Sequence, residues 1–399
     1  MRNPADLTGR EILCECGRTH RVPIREIRRW EGAIPPEAFS GIFSSAAGMS
    51  ALMICDAHTM DSANGRVAES LRRAGWKLKV REFSRDRLVN DEAAVGAAVL
   101  DADTGVGVII AVGGGTVTDL GRFVASRTCK PFALVMTCPS MDGYASNIAA
   151  VSLDGRRRIF KDCRYPDAIF CDMEVMRSAP MELIASGFGD MLGERTSLPD
   201  WVMSRHFTGE RFCGMLAALM DDSSMECASR LDGIISRDAA ATGALTDALL
   251  LAGISMGLAG DTRPVSGSEH IFSHFMAERG MEAGTAAPHG ATVGFGTLIS
   301  TLLYEYLLDE LRPSDLAPVE AEIRRYLLPS AQIADLLAVS GIGVSAGRYL
   351  PGSDVADMIH VCAAPDKRYT VLRYLADAGR IEDGIRHVVD ALGRMGESA

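Results

Sequence analysis

Apolar and polar positions along this chain fall into two regimes. In the first, short apolar runs alternate with helical spacing. Ala51-Leu52-Met53-Ile54-Cys55 ends at Asp56, Gly107-Val108-Ile109-Ile110-Ala111-Val112 ends at three glycines, and Pro131-Phe132-Ala133-Leu134-Val135-Met136 ends at Thr137. Residues 64–75 and 117–127, which lie between these runs, have the spacing of helices. Strands that alternate with helices predict a parallel sheet covered on its faces, with ligands bound at the carboxyl ends of its strands. Asp56, the triple glycine and Thr137 fall at such ends. Residues 148–153 and 156–160, joined by Asp154-Gly155, predict a hairpin with a tight turn, and 168–172 one more strand. From about Ala179 the strand signals stop. Residues 180–197, 199–206, 212–221, 237–258, 268–279, 290–311, 317–326, 331–339 and 367–378 have helical character. The expected architecture is therefore an α/β domain over 1–178, a Rossmann-like parallel sheet with a hairpin, and an all-α domain over 179–399. A length of 399 residues suits two cores better than one.

Composition narrows the partners. With 41 basic and 52 acidic residues the net charge is −11, which argues against nucleic acid and anionic membranes. A small anionic substrate would need a local gathering of positive groups. Residues 1–20 carry Arg2, Asp6, Arg10, Glu11 and Glu15 and show no signal peptide. The apolar stretch from Val293 to Leu308 is interrupted by Thr297, Ser300, Thr301 and Glu305 and reads as a buried helix. Ten scattered cysteines suggest reduced thiols in a cytoplasm. Cys14-x-Cys16 with His20 has the donors of a zinc clip, but the spacing is tight and no fourth ligand is evident.

The chemistry sits in separated motifs. The turn Gly113-Gly114-Gly115-Thr116 opens a helix containing Asp119, where backbone N–H groups and the helix dipole suit a pyrophosphate. It lacks the spacing of the dinucleotide fingerprint, and such a turn can also be only a tight connection. Asp56 can bond a ribose diol and repel a 2′-phosphate, favouring NAD over NADP, or simply cap the segment from Ala57 to Met60. Gly-Phe-Gly-Asp190, His270 and His274 four residues apart, and Pro288-His289-Gly290 offer one carboxylate and up to three imidazoles. Zinc, nickel and iron(II) all accept that donor set.

These motifs resemble the superfamily of iron-containing alcohol dehydrogenases, glycerol dehydrogenases and dehydroquinate synthases, and within it the NAD(P)-dependent sn-glycerol-1-phosphate dehydrogenases. The resemblance runs from about Cys14 to Leu375. It rests on Gly113 to Asp119, on Thr137-Cys138-Pro139-Ser140-Met141-Asp142-Gly143-Tyr144-Ala145-Ser146, on Ala185 to Gly193, on Gly267 to His274 and on Pro288-His289-Gly290. It also takes in Cys14-x-Cys16-Gly17-x-x-His20, without a catalytic role there. The resemblance implies a dehydroquinate synthase-like fold with the active site between its two parts. It implies Asp190, His270 and His289 as metal ligands, and His274 as the histidine one turn behind them. Asp142 would meet the substrate hydroxyls, Thr137, Ser140 and Ser146 the nicotinamide side, and Gly113, Gly114, Gly115, Thr116 and Asp119 the pyrophosphate. The chain departs from the pattern at Glu194-Arg195-Thr196, where many relatives carry a lysine and an aromatic residue. In the hairpin, Arg156-Arg157-Arg158 reads as a solvated tip, and Lys161 as the donor for a substrate phosphate.

The expected reaction is reduction of dihydroxyacetone phosphate to sn-glycerol 1-phosphate by NADH or NADPH with one divalent ion, zinc, nickel or iron. His274 is a candidate for passing the proton. The expected partners are that small phosphorylated ketone and a second copy in a homo-oligomer. Open alternatives are a glycerol, polyol or phosphonate-alcohol dehydrogenase, a dehydroquinate synthase-like lyase or cyclase, and a non-catalytic descendant. Against the lyase stand the aspartate in place of a glutamate ligand and the single Lys161. Against the non-catalytic descendant stands the full set of proposed ligands.

Overall fold

The structure, a computed structural model, describes residues 3–41, 43, 46, 48–59, 63–84, 88–364 and 368–396. The continuous apolar runs become the centre of a six-stranded parallel sheet because both of their faces are covered. The strands are β1 (Ile12–Leu13), β2 (Thr19–His20), β3 (Glu26–Trp30), β4 (Ser50–Asp56), β5 (Lys77–Phe83), β6 (Val106–Gly113), β7 (Phe132–Met136), β8 (Ala149–Leu153), β9 (Arg156–Phe160) and β10 (Ala168–Asp172). The main sheet runs β3-β10-β7-β6-β4-β5. Every residue of β6, β7 and β10 is buried. The edge strands were not anticipated, since each hides little. β3 buries only Ile27, and β5 sets Lys77, Lys79 and Arg81 against a single buried Phe83.

The strand order places a reversal at β4 and β6. The chain steps outward from β4 to β5, returns to β6 on the other side of β4, and then steps outward through β7 to β10. Such a switch point leaves a crevice at the strands' carboxyl ends. Asp56 and Gly113 end the two strands that flank it, and Thr137 donates its N–H to the Gly113 carbonyl at 3.3 Å.

The small hairpin β8–β9 turns through Asp154 (φ 52°) and Gly155 (φ 70°). Two positive φ values are what a two-residue hairpin turn needs. The hairpin lies along the helix Gly115–Arg127: the Ala150 N–H reaches Asp119 Oδ2 at 3.1 Å, and Phe123 meets Phe160 with ring centroids 4.9 Å apart. Arg122 in that helix is fully buried. Its guanidinium donates to Asp119 and to the backbone carbonyls of Gly143, Tyr144 and Ile148 at 2.5–2.9 Å. One side chain thus ties the glycine-rich turn's helix to the loop that carries Asp142 and Ser146.

After β10 every regular element among the described residues is helical. The expected break near residue 198 falls instead at Gly193, between Met181–Leu192 and Glu194–Thr208, and Pro199 is accommodated inside the second helix. The helix expected over 212–221 runs on to Ser229. Helices at 92–101, 355–362 and 381–396 were not anticipated. That expected over 367–378 spans Val371–Asp377, and residue 367 lies outside the described residues. Two segments, Ala239–Ala259 and His289–Leu311, are long and apolar enough to cross a membrane, but 78% and 94% of their most apolar windows are buried inside the protein.

Removing one partner of a buried ion pair leaves the other charge without compensation, at a cost of about 3–5 kcal/mol. Arg122→Ala is therefore expected to lower stability by about that amount, read as a lower urea midpoint. A midpoint unchanged from that of the parent chain would mean that the staple is redundant.

Candidate metal and nucleotide site

Three helices converge beneath the carboxyl ends of the strands. Asp190 lies near the end of Met181–Leu192, His270 in the first turn of Ser268–Ala283, and His289 at the first position of His289–Glu305. Close approach requires the glycines of the motifs. A Cβ on Gly290 would sit 1.7 Å from the Ser186 carbonyl oxygen, and one on Gly187 would sit 1.9 Å from that of Pro139.

The convergence builds a donor triangle. Asp190 Oδ1 lies 3.7 Å from His270 Nε2 and 3.6 Å from His289 Nε2. Ligands at about 2.0–2.2 Å from a tetrahedral ion are roughly 3.3–3.6 Å apart, so the triangle has the right size. Each donor is also aimed. Asp190 Oδ2 accepts the Asp142 N–H at 2.8 Å, while buried Oδ1 has no hydrogen-bond partner. His270 Nδ1 lies 2.9 Å from Glu269 Oε1, an acceptor, which puts the ring proton on Nδ1 and leaves Nε2 for a cation. Glu269 is itself fixed by the Gly267 N–H at 2.6 Å and the Thr196 hydroxyl at 2.8 Å. His289 Nδ1 lies 3.4 Å from Ser273 Oγ. An orphaned carboxylate oxygen facing two oriented imidazoles fits a divalent ion.

The electrostatics agree. Burial, then repulsion from Asp142, raises the Asp190 carboxyl well above the usual range. Burial also raises Asp142. Burial opposes charge on His270, but the bond to Glu269 and the nearby carboxylates carry its pKa upward. Burial, Arg157 and His270 hold His289 well below the ordinary imidazole value.

Above the triangle lies a cleft of about 990 Å³. Gly115, Thr116, Asp119, Ser140, Asp142, Ser146, Lys161, His270, His274 and His289 all line it. Gly113, Gly114, Thr137 and Asp56 are not among the residues that line it. The helix opened by Gly114 has no side-chain cap, so its first N–H groups are free to meet phosphate. Asp119 does not offer a free carboxylate, because both oxygens are bonded, to Arg122 and to the Ala150 N–H. Asp56 accepts from the Thr59 hydroxyl at 3.3 Å and holds Thr59 and Asn64 through its carbonyl. It therefore closes the turn after β4, and Met60 lies outside the described residues.

The hairpin needs a correction. Arg157 does not belong to a solvated tip: its alternation on β9 turns it inward, half-buried, to line the cleft with Lys161. Arg368 joins them, held by Ser266 and Thr262. His274 lines this cleft with an exposed side chain, its ring 6.5 Å from that of His270. Burial and the neighbouring Arg157, His270, Arg368 and Lys161 pull its pKa down to about 3. Arg157, Lys161 and Arg368, all lining the cleft, make this part of it basic. Arg157, Arg368 and Glu269 were missed in the sequence. Strand alternation from Ile159 could have signalled Arg157, and adjacency to His270 could have signalled Glu269. Arg368 is distant in sequence and carried no signal.

Comparison with known proteins places the chain among relatives. Residues 32–180 match the family described as iron-containing alcohol dehydrogenase. The glycerol-1-phosphate dehydrogenase [NAD(P)+] of Halalkalibacterium halodurans is 33% identical, over 73% of this chain and 74% of that one. That of Bacillus subtilis is 31% identical over 73% and 75%. A solved structure of a probable glycerol dehydrogenase from Sinorhizobium meliloti 1021 superposes with a TM-score of 0.66 over 94% of this chain and 98% of its own, at 19% identity.

Residues that orient metal-binding histidines typically contribute 10–100-fold to affinity. Glu269→Gln is expected to weaken divalent-ion binding by about that factor, measured by chelator competition. The same measurement should show affinity dropping as the pH is lowered, because protons on Asp190 and His270 compete with the ion. Unchanged affinity in Glu269→Gln would remove the orienting role.

Proposed function

The chain belongs to the NAD(P)-dependent glycerol-1-phosphate dehydrogenases, and from that premise we propose that it reduces dihydroxyacetone phosphate to sn-glycerol 1-phosphate. The observation that carries this reading is one cleft with two opposite characters. Its floor is an acidic cation site at Asp190, His270 and His289, and its side is the basic pocket of Arg157, Lys161 and Arg368 around His274. A neutral polyol would use only the first, and a phosphorylated ketone uses both. We assign the cleft to the seam between a nucleotide-binding unit, 1–178, and a metal-binding unit, 179–399, in a cytoplasmic enzyme whose cysteines are free thiols.

When bound, the divalent ion at the triangle polarises the ketone oxygen and the reduced nicotinamide supplies the hydride. The chain's own groups do the positioning. Arg157, Lys161 and Arg368 hold the phosphate, and Asp142 meets the substrate hydroxyl beside Asp190. The uncapped turn at Gly114 to Thr116 takes the pyrophosphate, with Ser140 and Ser146 facing the nicotinamide. His274 is neutral at pH 7 in the free protein, so it takes part in proton movement as a neutral imidazole that relays through water, not as a stored imidazolium.

A charge-assisted hydrogen bond contributes about 1.5–3 kcal/mol, equivalent to roughly 10–100-fold in rate. Arg157→Ala should therefore cut kcat/KM for dihydroxyacetone phosphate by about that factor and leave dihydroxyacetone little changed. Equal losses would make Arg157 structural, and faster oxidation of glycerol than of glycerol 1-phosphate would move the chain to the polyol dehydrogenases. Asp56→Gly should shift the kcat/KM ratio from NADH towards NADPH, since it removes a charge that repels a 2′-phosphate. A static ratio would leave Asp56 as the turn-closing residue alone.

A further inference from the structure

Far along the chain from the N-terminal Cys14-x-Cys16 and His20 lies the residue that completes them. Cys213 immediately precedes the helix Gly214–Ser229, and the fold brings its sulfur to the N-terminal hairpin. We propose that Cys14, Cys16, His20 and Cys213 form a structural zinc site that fastens this hairpin to the helical half of the protein.

The geometry starts with the turn. β1 pairs with β2 through Ile12–His20 and Leu13–Thr19, and between them Cys14 N–H donates to the Arg18 carbonyl at 3.1 Å. Gly17, at φ +81°, donates back to the Cys14 carbonyl at 3.0 Å. This tight loop points two sulfurs and one imidazole the same way. The four donor atoms lie within 4.8 Å of one another. Cys14 Sγ is 3.6 Å from Cys213 Sγ, Cys213 Sγ is 3.6 Å from His20 Nε2, and Cys16 Sγ is 3.2 Å from His20 Nε2. With zinc–sulfur bonds of about 2.3 Å and zinc–nitrogen bonds of about 2.0–2.1 Å, a tetrahedral site has sulfur–sulfur edges near ~3.8 Å and sulfur–nitrogen edges near ~3.6 Å. The two 3.6 Å separations match these edges, and the Cys16–His20 pair is tighter, so a small adjustment of Cys16 places all four donors around one ion.

His20 is also presented correctly. Its Nδ1 lies 2.6 Å from the Leu258 carbonyl oxygen, which can only accept, so the proton sits on Nδ1 and Nε2 faces the sulfurs. Arg18 donates to the neighbouring Ala259 carbonyl at 2.8 Å, fixing the hairpin against the end of the helix Ala239–Ala259. Three thiolates and one imidazole favour zinc over magnesium or calcium, and four protein ligands leave no position open for substrate. None of the four residues lines the cleft. The hairpin needs such a clamp: its strands are two residues each, and Leu13 is 86% exposed, so packing alone holds it weakly.

The test uses the full chain loaded with zinc or cobalt(II). Elemental analysis is expected to find two metal equivalents per chain, and cobalt-loaded protein to show thiolate-to-metal charge-transfer absorption. The Asp190 triangle, which has no sulfur, cannot produce that absorption. Cys213→Ser and Cys16→Ser should each lose one equivalent and the absorption, with a lower Tm, while Asp190→Asn keeps the absorption. Cys16 is exposed, so its replacement remains informative if Cys213→Ser fails to fold. A cobalt-loaded parent chain without the thiolate band, or a Cys14–Cys213 disulfide in freshly purified protein, would overturn the proposal.

Discussion

Buried negative charge is the constraint around which this molecule is arranged. Asp190, Glu194 and Glu269 are all at most 2% exposed, and Asp142 stands beside them. Ionised carboxylates withdrawn from water are costly unless a cation or hydrogen bonds compensate them. Backbone N–H groups and the Thr196 hydroxyl satisfy part of the set, but Asp190 Oδ1 and Glu194 Oε2 have no partner in the protein. Burial, then repulsion from Asp142, drives the carboxyls of Asp190 and Glu194 upward, which favours protons there. A divalent ion held by Asp190, His270 and His289 would compete with protons for these groups and would turn an electrostatic cost into an attraction. Folding the three ligand helices together and binding the ion are thus one problem.

That problem is solved by backbone proximity. Gly187, Gly189 and Gly290 let the helices of Asp190 and His289 touch almost backbone to backbone, with Gly187 pressed on the Pro139 carbonyl. Ser186 then serves both neighbours, donating to the Ser140 carbonyl at 2.9 Å and accepting the Gly290 N–H at 3.0 Å. The loop after β7 is drawn down until the Asp142 N–H reaches Asp190. From the other side Arg122 grips the same loop. The loop between sheet and helices is therefore held at both ends, and its Ser140 and Ser146 hydroxyls are bonded within it, to the Tyr144 hydroxyl and the Gly143 carbonyl.

Much of this was legible in the sequence because it rests on local patterns. Continuous apolar runs gave the central strands, Asp154-Gly155 gave the hairpin turn, and histidines spaced by four gave one helical face. What was not legible depends on pairing across the chain. β3 and β5 are edge strands with one buried residue each, so their alternation carries little signal. Cys213 is 193 residues from His20, and Arg368 lies far beyond the hairpin it faces. Arg157 was obscured by its neighbours: within three consecutive arginines, only strand alternation separates the one that faces the cleft from the two exposed beside it.

The same alternation explains how a chain of net charge −11 can receive a dianion. Distant surface charges are screened within about 8–10 Å in physiological salt, whereas groups inside a cleft act at shorter range and in a poorer dielectric. What matters is the local sum: removal from water comes first in lowering the His274 pKa, and the positive charge of Arg157, Arg368 and Lys161 around it adds to the shift. His274 lies four residues along the same helix from His270, their rings 6.5 Å apart, so the basic pocket and the cation site are close together along one helix. A phosphorylated three-carbon ketone places its carbonyl and its phosphate only a few bonds apart. The pocket can then hold the anion while the carbonyl oxygen reaches the ion, and a longer phosphorylated chain would have to fold back to satisfy both. In the proposed reading, selection between substrates would rest on the spacing of Arg157, His274 and His270, which one hairpin and one helix fix.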